Sequence, residues 1–459
     1  MPATFDVVNP ATSAVFDRAP DATAEEARQA VEKSVAAFVM WKAKTPFERS
    51  AVLRKWFELI LKDEDTLAKM MTQEMGKPIT ESRGEVKYAA AFVEWYAEEA
   101  KRAYGEIVPS HSANKRLFAM RQPVGPVYAV TPWNFPAAMV TRKVAPALAA
   151  GCSVVLKPAE QSPLTAIRLV DLWVQAGGPP DVFQVLTTSD PAAVSGVFFA
   201  DARVRKLTFT GSTEVGIKLY EQAARTVKRV SLELGGHAPF IICDDADIPA
   251  AVQQVMASKF RNAGQTCVCA NRIYVHDRIQ AAFADRLADG ISNLRVGDPM
   301  SEQTQVGPLV DRQGLDKVAS HVEDAVGKGA KAVVGGKRKD GLFFEPTLLT
   351  GVTGGMRILE EETFGPVAPI VGYSDEAEII RAANATPYGL AAYVWTKDLG
   401  RAFRIAEQLE YGIVGVNDGL PAVPHAPFGG VKFSGIGREG GPWGLDEYLD
   451  IRYVSIALP

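Results

Sequence analysis

A chain of 459 residues, 47% hydrophobic and 23% charged, has the composition of a folded protein and the length for roughly two or three domains. Its formal net charge of -4 lacks the basic excess that nucleic-acid or anionic-membrane partners require. Four cysteines are too few for a disulfide framework. The start, MPATFDVVNP, has no apolar signal region, and VAPALAAGCSVVL is too short and too broken by Pro and Gly to span a membrane. A reducing, cytoplasmic setting is expected.

The first ~100 residues read as helical. Thr23 and Glu26 make a capping-box signature ahead of the first helix. PFERSAVLRKWFELILKDEDTLAKMMTQEMGKP continues in that style, and EVKYAAAFVEWYAEEAKRAYG forms a helix stopped by Gly105. RLFAMRQPVGPVYAVTPWNFP then reads as strand, turn, strand and loop. SVVLKP is a strand, a helix follows from Pro163, and FQVLTT and KLTFTGS are strands. TEVGIKLYEQAAR is a helix and RVSLELGG a strand. Such alternation implies a parallel sheet with ligands at the carboxyl ends of its strands. A second series starts near Ala246: a helix through Arg261, strand RIYVHD, a helix from Arg278, and strands AVVGG and LFFEPTLLTG. The tail DEYLDIRYVSIAL alternates like a strand that pairs elsewhere in the fold or on another subunit.

Five stretches could carry chemistry. FRNAGQTCVCANR holds Cys267 and Cys269 after small, polar residues that let backbone N–H groups approach a reacting atom. A thiol there is either a nucleophile or an inert buried cysteine. Asn134, in TPWNFP at a strand end, is either an oxyanion donor or a turn residue. Glu233, in SLELGG, is either a general base with a raised pKa or a paired strand-end acid. TFTGSTEVG is a strand, a Gly turn and a helix start, able to cradle a pyrophosphate, although it matches neither G-x-G-x-x-G nor the P-loop. Glu160, in LKPAE, either meets the ribose hydroxyls of a nucleotide or favours a helix start. The C-x-C pair has no histidine at ligand spacing, and no metal site is expected.

Taken in order, TPWNFP, LKPAE, FTGSTEVG, LELGG, GQTC, EETFGPV and PFGGVKFSGIGRE resemble the aldehyde dehydrogenase superfamily over essentially the whole chain. FRNAGQTCVCANR, with TRK after WNFPAAMV, resembles its succinate-semialdehyde dehydrogenase branch. The resemblance implies an α/β fold. A Rossmann-type coenzyme domain would span 1–104 and 124–235, and an α/β catalytic domain 236–445. Residues 105–123 and 446–459 would form a small β oligomerisation arm. It implies a homodimer or homotetramer that oxidises an aldehyde to an acid with NAD, or alternatively NADP.

It further implies Cys267 as nucleophile, Asn134 and the Cys267 N–H as oxyanion donors, and Glu233 as the base that activates water. Lys143 and Glu439 would assist. Trp133, Lys157, Glu160, Gly211, Ser212, Leu234, Glu362 and Phe364 would hold the cofactor. Arg142 and Arg261 would grip a substrate carboxylate. Cys269 would form a reversible disulfide with Cys267, or simply pack. One departure stands out: GLPAVPHAPFGG offers Ala422, Val423 and Pro424 where the branch has a serine, with His425 nearby. That leaves other semialdehydes and medium-chain or aromatic aldehydes as alternatives to succinate semialdehyde. A CoA-acylating enzyme would usually lack the Glu233 base, and a silent binding scaffold would have lost Cys267, Asn134 or Glu233.

Overall fold

Residues 3–459 are described by a computed structural model. The expected helices form from Thr23 onward, as Ala24–Lys42, Pro46–Lys62, Glu64–Met75 and Ile79–Glu99. Thr23 and Thr45 each accept from the N–H three residues on, and Glu26 and Glu48 return the bond, closing a capping box at both helices. The long second stretch breaks at Asp63, whose carboxylate takes a two-pronged hydrogen bond from Arg168, at 2.7 and 2.8 Å. The last helix starts earlier than expected and ends in a short 3-10 turn at Ala100–Arg102, ahead of Gly105. The helical expectation fails before Thr23. Thr4–Asn9 and Ala14–Pro20 form an antiparallel hairpin. Within its strands only Val7 and Ala19 are buried, too little apolar alternation to signal strands.

Strands Val127–Val130, Val154–Lys157, Phe183–Val185, Lys206–Thr210 and Arg229–Glu233 make a parallel sheet. Every residue of VYAV, VVLK and KLTFT is buried, the pattern of a sheet covered on both faces. Val127–Val130 lies between Lys206–Thr210 and Val154–Lys157, so the strand order reverses beside it. The crevice at the carboxyl ends of strands at such a reversal is where these sheets take ligands. TPWNFP and the Gly211–Ser212 turn both open there. The helix Pro191–Ala200 between two of these strands escapes sequence reading, because PAAVSGVFFA shows no clear polar face.

The second sheet runs in the order Lys331–Val334, Thr347–Thr350, Val367–Tyr373, Ala270–His276, Ala238–Ile242, Ala391–Trp395, Ile413–Val416. It begins one strand earlier than expected, because Ala238–Ile242 follows LELGG almost at once. The expected helix through Arg261 is Ile248–Lys259, and the strand read over LFFEPTLLTG shrinks to Thr347–Thr350. Gly435–Ile436 then leaves this half of the molecule and pairs antiparallel with Glu233 and Leu232, closing the edge of the first sheet. An antiparallel arm of Glu106–Val108, Lys115–Pro123 and Leu449–Ala457 completes the fold. The terminal strand finds its partner within its own chain, Leu449 opposite Pro123 and Ala457 opposite Lys115. Among the described residues, no helix is long and apolar enough to cross a membrane.

Candidate active site

Cys267 lies in the link between helix Ile248–Lys259 and strand Ala270–His276. The link turns sharply: Asn262, Ala263 and Gly264 take left-handed backbone, with φ of 51°, 53° and 75°. Only the glycine does so without steric cost. A Cβ on Gly264 would lie 2.1 Å from the Gly365 carbonyl oxygen, so the turn presses on the loop that carries Glu362 and Phe364. A Cβ on Gly236 would lie 2.4 Å from the Cys267 carbonyl oxygen. LELGG and GQTC therefore meet backbone to backbone, at a distance only glycine allows.

Cys267 is half-buried, Cys269 is fully buried, and both are free thiols. Burial pushes the Cys267 thiol up to about 12; Arg142 and Arg261 pull it down, while Glu362 and Glu233 push it further up. The sulfur thus sits within reach of the field of four ionisable side chains that sequence reasoning had named. Cys269 Sγ meets the Lys259 carbonyl at 3.6 Å, at the end of the preceding helix.

Asn134 reaches the cysteine turn from the first sheet. Its Nδ2 donates to the Gln265 carbonyl at 3.2 Å, and its own carbonyl accepts from Asn262 Nδ2 at 3.0 Å. Its Oδ1 is buried without a hydrogen-bond partner. Glu233 ends its strand 4% exposed, and its Oε2 has no partner among the described residues. A Cβ on Gly429 would lie 2.8 Å from Glu233 Oε1, so the PFGG segment makes room for this carboxyl. Burial and the Glu439 charge raise Glu233 well above the usual carboxylate range, against Arg142 and Lys143. Glu439 is buried too, but Lys143 and Arg142 outweigh that and hold it below the range. Lys143 Nζ donates to Glu439 Oε1 at 2.5 Å, and Arg142 Nη2 lies 2.7 Å from Oε2. One site thereby holds a carboxyl raised above the ordinary range beside one held below it, the arrangement that separates an acid–base group from a structural charge.

The two arginines differ. Arg142, expected to grip a substrate carboxylate, has its guanidinium paired with Glu439 and lying over the Phe428 ring at 3.9 Å. Arg261 Nε is buried with no partner, and the group lies over Phe135 at 5.3 Å. In GLPAVPH, Ala422, Val423 and Pro424 are half-buried, and the His425 ring sits 5.9 Å from that of Trp95.

The residues expected to hold the cofactor are each fixed by local contacts. Trp133 and Phe364 meet edge to face, 5.6 Å apart at 87°. Glu362 accepts the Gly236 N–H at 3.2 Å, and burial raises it to about 7. Ser212 caps helix Thr213–Ala224, its Oγ accepting from Val215 N–H at 3.3 Å. A Cβ on Gly211 would lie 2.4 Å from the Phe209 ring. Leu234 is buried against Gly216 of that helix, and Lys157 at the next strand end is paired with Glu160. Sequence reasoning missed the buried layer behind these groups: Lys77, Glu81, Glu85, Asn262 and Gln265. Asn262 and Gln265 lie inside the stretch already singled out, but MGKP reads only as a helix stop.

The sequence model of the aldehyde dehydrogenase family matches residues 1–454. Over 455 residues the chain is 52% identical to a glutarate-semialdehyde dehydrogenase of Pseudomonas putida, covering 99% of this chain and 95% of that protein. Over 456 residues it is 51% identical to the NADP(+) succinate-semialdehyde dehydrogenase GabD of Escherichia coli, covering 99% and 94%. The crystal structure of succinate-semialdehyde dehydrogenase from Burkholderia pseudomallei matches with a TM-score of 0.98 at 50% identity, covering 99% of this chain and 95% of that one. The chain belongs to the aldehyde dehydrogenase family and is an NAD(P)-dependent oxidoreductase acting on aldehydes.

Proposed function

We propose that the enzyme oxidises succinate semialdehyde to succinate, with Cys267 as its nucleophile. The thiol loses its proton to solvent, the sulfur bonds to the aldehyde carbon, and the carbonyl electron pair moves onto oxygen. The Asn134 amide and the Cys267 N–H hold that oxyanion. A nicotinamide held there would supply the hydride acceptor, and the carbon that loses hydride would remain on Cys267 as a thioester. Glu233 then takes a proton from water, the water oxygen attacks the thioester carbon, and the carbon–sulfur bond breaks to release the acid. Glu439, held ionised by Lys143 and Arg142, keeps Glu233 proton-hungry enough for that task.

The residues present fit a nicotinamide dinucleotide. The start of helix Thr213–Ala224 offers N–H groups to a pyrophosphate at Gly211 and Ser212. Glu362 would meet the nicotinamide ribose, and Trp133, Phe364 and Leu234 would pack against the cofactor. Lys157 and Glu160 serve the adenosine ribose. On this reading the sheet within 124–235 is the coenzyme half, 236–445 the catalytic half, and the arm of 105–123 and 446–459 joins subunits into a homodimer or homotetramer.

The carboxylate preference rests on one observation, the buried Arg261 Nε without a partner just upstream of Cys267. Arg142, shared with Glu439, supports rather than leads. The missing hydroxyl at 422–424 leaves room for a second reading, glutarate semialdehyde, the substrate named for the P. putida relative. Reduced-cofactor formation from succinate semialdehyde, glutarate semialdehyde, propanal, hexanal and benzaldehyde tests both. We expect kcat/KM to favour the two carboxylated aldehydes, and Arg261→Gln to erase the preference by raising KM. A preference for uncharged aldehydes in the parent enzyme refutes the proposal.

A further inference from the structure

Behind Asn134 lies an ion pair shut off from solvent. Lys77 follows helix Glu64–Met75, Glu85 lies in helix Ile79–Glu99, and both side chains are 1% exposed. Lys77 Nζ donates to Glu85 Oε2 and to the Asn134 carbonyl, the latter at 2.9 Å, and lies over the Phe135 ring at 3.8 Å. Glu85 Oε1 accepts the N–H groups of Ala137 at 2.9 Å and Ala138 at 3.2 Å. Those groups open helix Ala138–Ala150, which has no side-chain cap of its own and carries Arg142 and Lys143. The pair therefore grips the chain at Asn134 and again just beyond it.

The same helix holds the other half of the site. Glu81, one turn before Glu85, accepts the Asn262 N–H at 2.7 Å, and Asn262 Nδ2 bonds the Asn134 carbonyl. Gln265 Oε1 takes the Val310 N–H at 2.9 Å, pinning the far side of the cysteine turn. Two loops from two different sheets are thus indexed against one helix. Burial lowers the Lys77 ammonium from its usual range while Glu85 holds it up. A buried ion pair contributes little net stability, because desolvation offsets the attraction. Its effect here is geometric.

We propose that Lys77, Glu85 and Glu81 are positioning residues that set the spacing between the Asn134 amide and the Cys267 sulfur, and that they act on turnover through Asn134. The proposal rests on Asn134 as oxyanion donor. A double-mutant cycle between Lys77→Met and Asn134→Ala tests it, read as the first-turnover rate of reduced-cofactor formation and as Tm. Asn134→Ala is expected to lose on the order of 10²-fold in rate. Lys77→Met is expected to lose roughly tenfold or more with the cofactor KM unchanged, since small misplacements at a reacting centre are costly. In the Asn134→Ala background Lys77→Met should cost less than about twofold, because the donor it positions is gone. Its Tm loss should be the same in both backgrounds, which separates positioning from folding. Multiplying losses in the double mutant overturn the proposal while leaving Asn134 its role. A fully active Asn134→Ala overturns both. Where Lys77→Met does not fold, Glu85→Gln, which keeps an acceptor for both N–H groups, takes its place in the cycle.

Discussion

Cys267 carries a cost in its resting state. With its thiol pushed up to about 12, the thiolate fraction at neutral pH is small and rises about tenfold per pH unit. Alkylation of the ligand-free protein by iodoacetamide should therefore accelerate about tenfold per unit from pH 7 to pH 10; a plateau below pH 9 contradicts the raised value. On the proposed mechanism Glu233 serves the second half-reaction, so Glu233→Gln should retain a stoichiometric burst of reduced cofactor and lose steady-state turnover by about 10²-fold or more. Loss of the burst itself assigns Glu233 to the first half-reaction instead. On the proposed cofactor placement, Glu160, paired with Lys157, would set a negative charge against a 2′-phosphate. Glu160→Ser should raise kcat/KM with NADP relative to NAD, and an unchanged ratio removes this residue from cofactor choice. Peroxide inactivation that thiols reverse in the parent, and that Cys269→Ala turns irreversible, would assign the neighbouring cysteine a redox role; identical behaviour assigns it to packing against Lys259.

The turn before Cys267 shows strain at the level of an element. Ala263 holds a left-handed backbone, which costs an alanine about 1–2 kcal/mol. Ala263→Gly should therefore raise stability by about 0.5–1 kcal/mol after the entropy that glycine adds to the unfolded chain. Chemical denaturation measures it, and a loss of stability would mean that the alanine methyl packs more than it strains. Strands of VYAV, VVLK and KLTFT were legible because buried parallel strands write themselves as short apolar runs, and both capping boxes because their spacing is local. The hairpin at Thr4–Pro20 was not, since only Val7 and Ala19 of its strands are fully buried. Cys267, Asn134 and Glu233 were legible as motifs, each flanked by glycine, proline or small residues that demand a special backbone. Lys77 and Glu85 were not: a buried charge looks like any surface charge until the fold supplies its partner. Nor could Arg142 be told from Arg261, because the difference lies in Glu439, far along the chain.

The whole molecule presents an arm with an apolar side still uncovered. Ile107 is 78% exposed, Ile451 74% and Tyr453 62%. Ile451 and Tyr453 share a face of the terminal strand, spaced as alternate residues must be. Ile451→Lys with Tyr453→Lys should shift the particle measured by light scattering to a smaller species at equal concentration, and an unchanged mass removes this face from assembly. Synthesis imposes a further order on the same architecture. Leu232 and Glu233 emerge from the ribosome long before Gly435 and Ile436, the residues that cover their edge. Until those arrive, the first sheet carries an open edge, a template for pairing with other nascent chains. The strand that ends in Glu233, the segment that shelters it and Glu439 come together only after residues 435–439 have been made.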